Sequence, residues 1–182
     1  MISVLVFSLL LNTANLPYKT VDCASSFKHN DLGLCLVYDY QGVQSSCSRK
    51  IEKMIRYAKS FIGTPYLWAA NGPDSFDCSG FVRFVYAHIG YDLPRNSRSQ
   101  SQVGIQQSIH TARKGDLIFF VSGTTPPIDI THVGIIISDA DKNGDFQFIH
   151  ANHGAGCVSI SNFSEPYFQS HYGGCRRVIQ CE

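Results

Sequence analysis

Neither sign of charge predominates in this chain: fifteen lysines and arginines stand against fourteen aspartates and glutamates, a net charge of +1. No run of basic residues occurs either, so nothing in the sequence would track a phosphate backbone or hold an anionic lipid surface. Nucleic acid and membrane are therefore excluded as partners. Long apolar runs are missing as well. The run Met1–Leu11 is too short to cross a bilayer and has the length of a signal-peptide core. Internal repeats and linkers are absent, which leaves no sign of a repeat array or a second domain. Charged residues make up only 16% of the chain and apolar residues 44%, a balance that builds a core and excludes a disordered polypeptide. A length of 182 residues then fits one globular domain.

What is present begins with seven cysteines, Cys23, Cys35, Cys47, Cys78, Cys157, Cys175 and Cys181. Setting Cys78 aside leaves an even number able to form three disulfides. Half precede the first predicted helix and half lie in the last strands, so a crosslink between the two ends is expected, with no connectivity specified. With residues 1–14 read as a signal peptide, the cysteines predict a secreted protein. Reduced cytosolic thiols are the alternative. Residues 15–47 are polar, cysteine-rich and aperiodic. They are read as a loop and hairpin segment around Leu32–Tyr40, which braces the domain or covers its site. The domain itself is residues 48–182.

From Ser48 the pattern becomes helical. Ile51, Met54, Ile55, Ala58, Phe61 and Ile62 recur at three- and four-residue spacing, with Ser48 placed to cap and Gly63 to stop. A second helix begins near Cys78, with Asp77 or Ser75 to satisfy its free amides and Gly90 to end it. A short helix is predicted over Ser99–Ile105. Strands follow at Leu117–Val121, Thr131–Ser138, Asp145–Asn152, Cys157–Ile160 and Gly174–Ile179, with Asn143-Gly144 as a hairpin turn. Helices first and consecutive strands afterwards predict an α+β domain, its helices packed on a five- to six-stranded antiparallel sheet.

The chemistry centres on Phe76-Asp77-Cys78-Ser79-Gly80-Phe81. A cysteine entering a helix meets free amides and the positive end of the dipole, which are expected to lower its pKa from about 8.5 to between ~3.5 and 7.5. His132, at the start of an apolar strand, is a rigidly held candidate base. His150, in the next strand, becomes its neighbour if the two strands form a hairpin, and would orient the first ring. His153 competes for that role but reads as a loop residue. A zinc site built from Cys78, His132 and His150 is the chemical rival.

These stretches occur in a recognisable order: Gly63-Thr64-Pro65-Tyr66; Asp77-Cys78-Ser79-Gly80-Phe81-Val82; Leu93-Pro94-Arg95 with Ser97 and Gln100; Lys114-Gly115-Asp116-Leu117-Ile118-Phe119-Phe120; His132-Val133-Gly134-Ile135; and Ile149-His150-Ala151. In this, residues 50–155 resemble the NlpC-type family of peptidoglycan cysteine peptidases. The resemblance implies a compact papain-like fold. It also implies hydrolysis of the γ-D-glutamyl bond to diaminopimelate or lysine in bacterial stem peptides. The partner would be bacterial peptidoglycan or muropeptides, the protein a monomer, and no cofactor or metal is called for. By position, Cys78 matches the nucleophile, His132 the base and His150 the third polar residue. Tyr66 matches a tyrosine lining the site, whose hydroxyl, with the Cys78 amide, would donate to the oxyanion. Asp77, Ser79 and Ser97 are expected at the substrate, although capping alone would explain Asp77 and Ser79. Ala69-Ala70 stands where the family usually shows glycines. Ser122–Asp129 and Ser138–Asp145 are long enough to wall the cleft. A non-catalytic peptidoglycan binder or inhibitor that kept the fold is the competing class, against which the intact Cys78, His132 and His150 argue.

Overall fold

Met54, Ile55 and Ala58 are buried because they form the inner stripe of a long amphipathic helix, α1 (Tyr40–Lys59). The computed structural model describes residues 40–123 and 129–181. The signal-peptide reading, Cys23, Cys35 and nearly all of the Leu32–Tyr40 hairpin lie outside them. α1 includes Tyr40, eight residues before Ser48, which therefore sits inside the helix and does not cap it. The reason is visible in the packing: Cys47 and Ile51, four residues apart, extend the apolar stripe upstream and pack against the core.

The second helix, α2 (Cys78–Ala87), starts where Asp77 accepts the Gly80 N–H at 2.7 Å. Beyond its end Gly90 takes φ +86°, a left-handed conformation that side chains resist. Gly80 has a different function. A Cβ there would overlap the Ala70 carbonyl oxygen, so its absence lets the first turn of α2 press against the preceding loop. The next helix, α3 (Ser97–Gln100), is shorter than expected. Chain from Ile105 to Gln107 that was assigned in part to it is instead β1, an exposed edge strand too short for alternation to reveal.

The remaining elements are β2 (Leu117–Val121), β3 (Ile130–Ile136), β4 (Gln147–Asn152), β5 (Cys157–Asn162), α4 (Pro166–Ser170) and β6 (Tyr172–Arg177). The strands form one six-stranded sheet in the order β1-β6-β2-β3-β4-β5, antiparallel throughout. α1 and α2 cover one face over Phe119, Val133, Ile135 and Ile149. Ile118, Phe120, Ile136 and Phe148 fill the other beneath Phe168 of α4. Every residue of β2 is buried, because both faces are covered and the strand reads as an unbroken apolar run. The Asn143-Gly144 turn forms as expected, with Gly144 at φ +80° and its N–H donated to Asp141 O. α4 escaped the sequence reading because five residues show no period. Its one local signal is Pro166 in the first turn.

Cys47 on α1 is joined to Cys181, their Cα atoms 5.8 Å apart, so the expected crosslink between the two ends is present. Three bridges do not form among the described cysteines: Cys157 and Cys175 are free. They sit on β5 and β6, separated by β4, β3 and β2. At about 4.8 Å per strand, their Cα atoms are far outside the ~7 Å limit for a disulfide. The Cys47–Cys181 bond closes a loop of sequence separation 134. Cys47→Ser is expected to cost about 2–5 kcal/mol, measured as a fall in Tm of roughly 5–20 °C.

Candidate active site

Cys78 is held at the first position of α2 by a network built on one guanidinium. Arg95 donates to both carboxylate oxygens of Asp77, at 3.1 and 2.6 Å, to Ser79 Oγ at 3.0 Å and to Ala70 O at 3.4 Å. The residues on each side of the thiol are thus fastened to one another and to the Ala69-Ala70 loop, where Ala69 adopts φ +64°. That value is normal for glycine and costs an alanine about 1–2 kcal/mol. Ser97, also buried, donates from Oγ to Ile130 O at 3.5 Å. Asp77, Ser79 and Ser97 therefore have contacts within the protein, and none of the three lines the cleft described below.

The thiol is buried, and Sγ faces Thr131 O at 3.8 Å. Burial, and next the Asp77 charge, raise its pKa above the ordinary thiol value, against the lowering effect of the backbone N–H groups of Ser79, Val133 and Cys78 itself. This corrects the expectation of a lowered pKa. The helix N-terminus acts in the anticipated direction, but desolvation exceeds it. The resting sulfur is a thiol.

His132 owes its position to an irregularity in β3. The register with β2 pairs Phe120 with His132 and Val121 with Ile130, leaving Thr131 unpaired. Such a bulge twists a strand and redirects its side chains. The ring of His132 lies on the Phe120 side of the sheet, 5.9 Å between centroids, while Cys78 approaches the same stretch of backbone from the α2 side. Near the start of β3 the two residues line one cleft of about 620 Å³.

His150 follows from the hairpin register. Ile135 pairs with Ile149 and Ile136 with Phe148, and continuing that register puts Gly134 opposite His150 and His132 on the diagonal. A Cβ on Gly134 would lie 2.8 Å from the Phe148 ring and 3.4 Å from His150 Cβ. The missing side chain leaves the space in which His132 Nε2 and His150 Nδ1 come to 2.7 Å. His150 Nε2 lies 3.2 Å from Ser161 Oγ, a buried hydroxyl on β5. Both bonds are satisfied when each Nε2 carries the proton, and His132 Nδ1 is then bare and able to accept one. Desolvation lowers His132 to about 4. Desolvation and then the charge of His132 lower His150 to about 2. Both rings are neutral at pH 7.

Tyr66 and Trp68 form one wall of the cleft. The Tyr66 hydroxyl has a raised pKa, first from burial and then from the charges of Cys78 and Asp77, and it lines the cleft that the thiol also lines. His153 lies in the turn after β4, its ring edge-on to Tyr66 at 5.1 Å. It lines the cleft, while Nε2 of His132 is taken by His150. Glu165, Tyr167 and Phe168, at the start of α4, also line the cleft. The long segments Ser122–Asp129 and Ser138–Asp145 contribute no lining residue among those described. Sequence reading missed Ser161, Arg95 as the clamp on Asp77, and the α4 wall. For Ser161 no motif exists. Only the strand register, His150 against Ser159, shows that a serine two residues on is within reach. Among the described residues no cluster of three or more His, Cys, Asp or Glu side chains is arranged to hold a metal.

A thiol at a helix N-terminus and a neutral imidazole on an adjacent antiparallel sheet form a site of the papain-like kind. The NlpC/P60 family profile matches residues 63–177. A gamma-D-glutamyl-L-lysine dipeptidyl-peptidase from Bacillus cereus is 34% identical over 128 residues, 70% of this chain and 36% of that protein. The murein DD-endopeptidase MepS/murein LD-carboxypeptidase of Escherichia coli K12 is 32% identical over 142 residues, 78% of this chain and 69% of that protein. A crystal structure of an NlpC/P60 family protein from Bacillus cereus superposes with a TM-score of 0.64 at 32% identity, covering 71% of this chain and 40% of that one. The chain belongs to the NlpC/P60 family. It spans about a third of the length of the first relative, and its α+β architecture is that of the family's solved structures.

Proposed function

We propose that this protein is a secreted cysteine endopeptidase that hydrolyses bacterial peptidoglycan stem peptides at the γ-D-glutamyl bond to the third, diamino residue. The observation that carries the proposal is the relay from Ser161 through His150 to His132, which, with each Nε2 protonated, leaves His132 Nδ1 free to accept a proton in the cleft that Cys78 also lines. The Cys78 proton passes to His132 Nδ1 as sulfur attacks the γ-carbonyl carbon. The Cys78 amide and the Tyr66 hydroxyl donate to the oxyanion. His132 then gives the proton to the departing amine, leaving a thioester. Water, deprotonated by His132, cleaves the thioester and restores the thiol. The names of the relatives support the substrate class. The Cys47–Cys181 bond supports an oxidising compartment, and hence secretion.

The proposal is tested by digesting purified peptidoglycan and defined stem peptides with the protein and with Cys78→Ala, then identifying new termini by mass spectrometry. A new γ-D-glutamyl carboxyl paired with a free amine on the third residue is expected from the native protein alone. No Cys78-dependent cleavage of any stem would refute it.

A further inference from the structure

The cleft has one uncompensated charge. Among the described residues Glu165 is the single Asp, Glu, Lys or Arg that lines it, and none of their ion pairs includes it. The carboxylate is also held in place. Its Oε1 accepts the Asn162 N–H at 2.8 Å, and the Glu165 N–H returns a bond to Asn162 O at 3.2 Å. One oxygen is therefore occupied by the backbone, and the side chain is fixed at the start of α4.

The wall that carries Glu165 is on the imidazole side. Phe168 of α4 lies edge-on to His150, 5.6 Å between centroids, and His150 is bonded to His132 at 2.7 Å. Tyr66 lines the same cleft, edge-on to His153 in the turn after β4 at 5.1 Å. A general acid has to lie within hydrogen-bond reach of the amine it protonates, so the residue that leaves with that amine extends from His132 towards α4. In the reaction proposed above, on which this inference rests, that residue is a diamino acid whose second amine is a cation.

We propose that Glu165 receives the side-chain ammonium of the leaving residue and sets a preference for lysine stems over diaminopimelate stems. Lysine ends in an ammonium alone. Diaminopimelate has a carboxylate on the same distal carbon, so its end carries no net charge and brings a like charge to Glu165. The adjacent Tyr167 ring, 61% exposed on the same wall, offers apolar surface to the methylenes that lead to the ammonium.

The test uses the full chain and its Glu165→Gln variant on three synthetic stems that differ at the third residue: L-lysine, meso-diaminopimelate and L-norleucine, the last an uncharged mimic of the lysine chain. Glutamine keeps an oxygen for the Asn162 N–H, so the loop is preserved and an unchanged Tm checks it. The native protein is expected to favour lysine over norleucine in kcat/KM by roughly three- to tenfold, a modest factor because the pair is open to solvent. E165Q should bring that ratio close to one through KM, since the contact is remote from the bond that breaks. Added salt at about 1 M should lower the native ratio and leave that of E165Q unchanged. A lysine-to-norleucine ratio insensitive to E165Q, or a native preference for diaminopimelate, overturns the inference while the peptidase reading stands. Absence of cleavage of all three stems overturns both.

Discussion

His132→Ala is expected to lower kcat/KM on a cleavable stem peptide by about 10²–10⁴, the range associated with a lost general acid–base. In the mechanism proposed above the ring serves twice, receiving the thiol proton and then delivering it to the amine. With the sulfur held as a thiol and the imidazole lowered to about 4, neither group is charged at neutral pH. The proton has to move within the reaction. Combining His132→Ala with Cys78→Ala should add little to either alone, because the two residues act as one unit. The pH profile separates this pair from a preformed thiolate–imidazolium pair. Activity should hold as pH falls from neutral and decline as His132 protonates near 4, while alkylation of Cys78 by iodoacetamide should quicken as pH is raised past the ordinary thiol range. A loss of only a few-fold in His132→Ala would place the base elsewhere, with His153 the next ring in the cleft.

Acid should also unfold this protein through the same two rings. An unfolded histidine binds a proton near pH 6.5, whereas His132 resists until about 4 and His150 until about 2. Between those limits the unfolded chain holds more protons than the folded one, so stability falls as pH falls. Above about 6.5 both states are neutral and the effect vanishes. Each ring contributes at most about 1.4 kcal/mol per pH unit, and His132, partly open to the cleft, contributes less. Tm measured from pH 7.5 down to 4 should therefore decline with its onset near 6.5. His150→Asn, which retains a polar group but cannot titrate, should show a shallower decline. Equal slopes for the two proteins would mean that His150 is not the neutral, desolvated ring described above.

The order of operations in the active site is therefore set by desolvation. Asp77, paired with Arg95 at 2.6 Å, caps the helix that carries the thiol and at the same time raises the thiol pKa. The two roles cannot be separated, because a cap must lie within one turn of the residue it precedes. The protein tolerates the less reactive resting sulfur because a bare imidazole nitrogen is available across the same cleft.

Much of this was legible along the chain because it depends on local rules. The apolar stripe of α1, the Asp77 cap and the start of α2 at Cys78, the unbroken run of β2 and the Asn143-Gly144 turn each follow from neighbours within a few residues. Cys78, His132 and His150 could be named by type and spacing for the same reason. What the chain order could not show was the sum of distant contributions. Whether Cys78 is acidic or not depends on burial by elements drawn from the whole domain. Whether Ser161 or another hydroxyl ends the relay depends on which residue of β5 lies across from His150. Short elements such as β1 and α4 exist because the sheet and core hold them, since five residues or fewer have too little intrinsic preference to declare themselves. Sequence alone thus determined which groups are available for chemistry and on which elements they ride. Tertiary structure decided their charge states and their partners, because desolvation and hydrogen bonding are set by distance in space and not by distance along the chain.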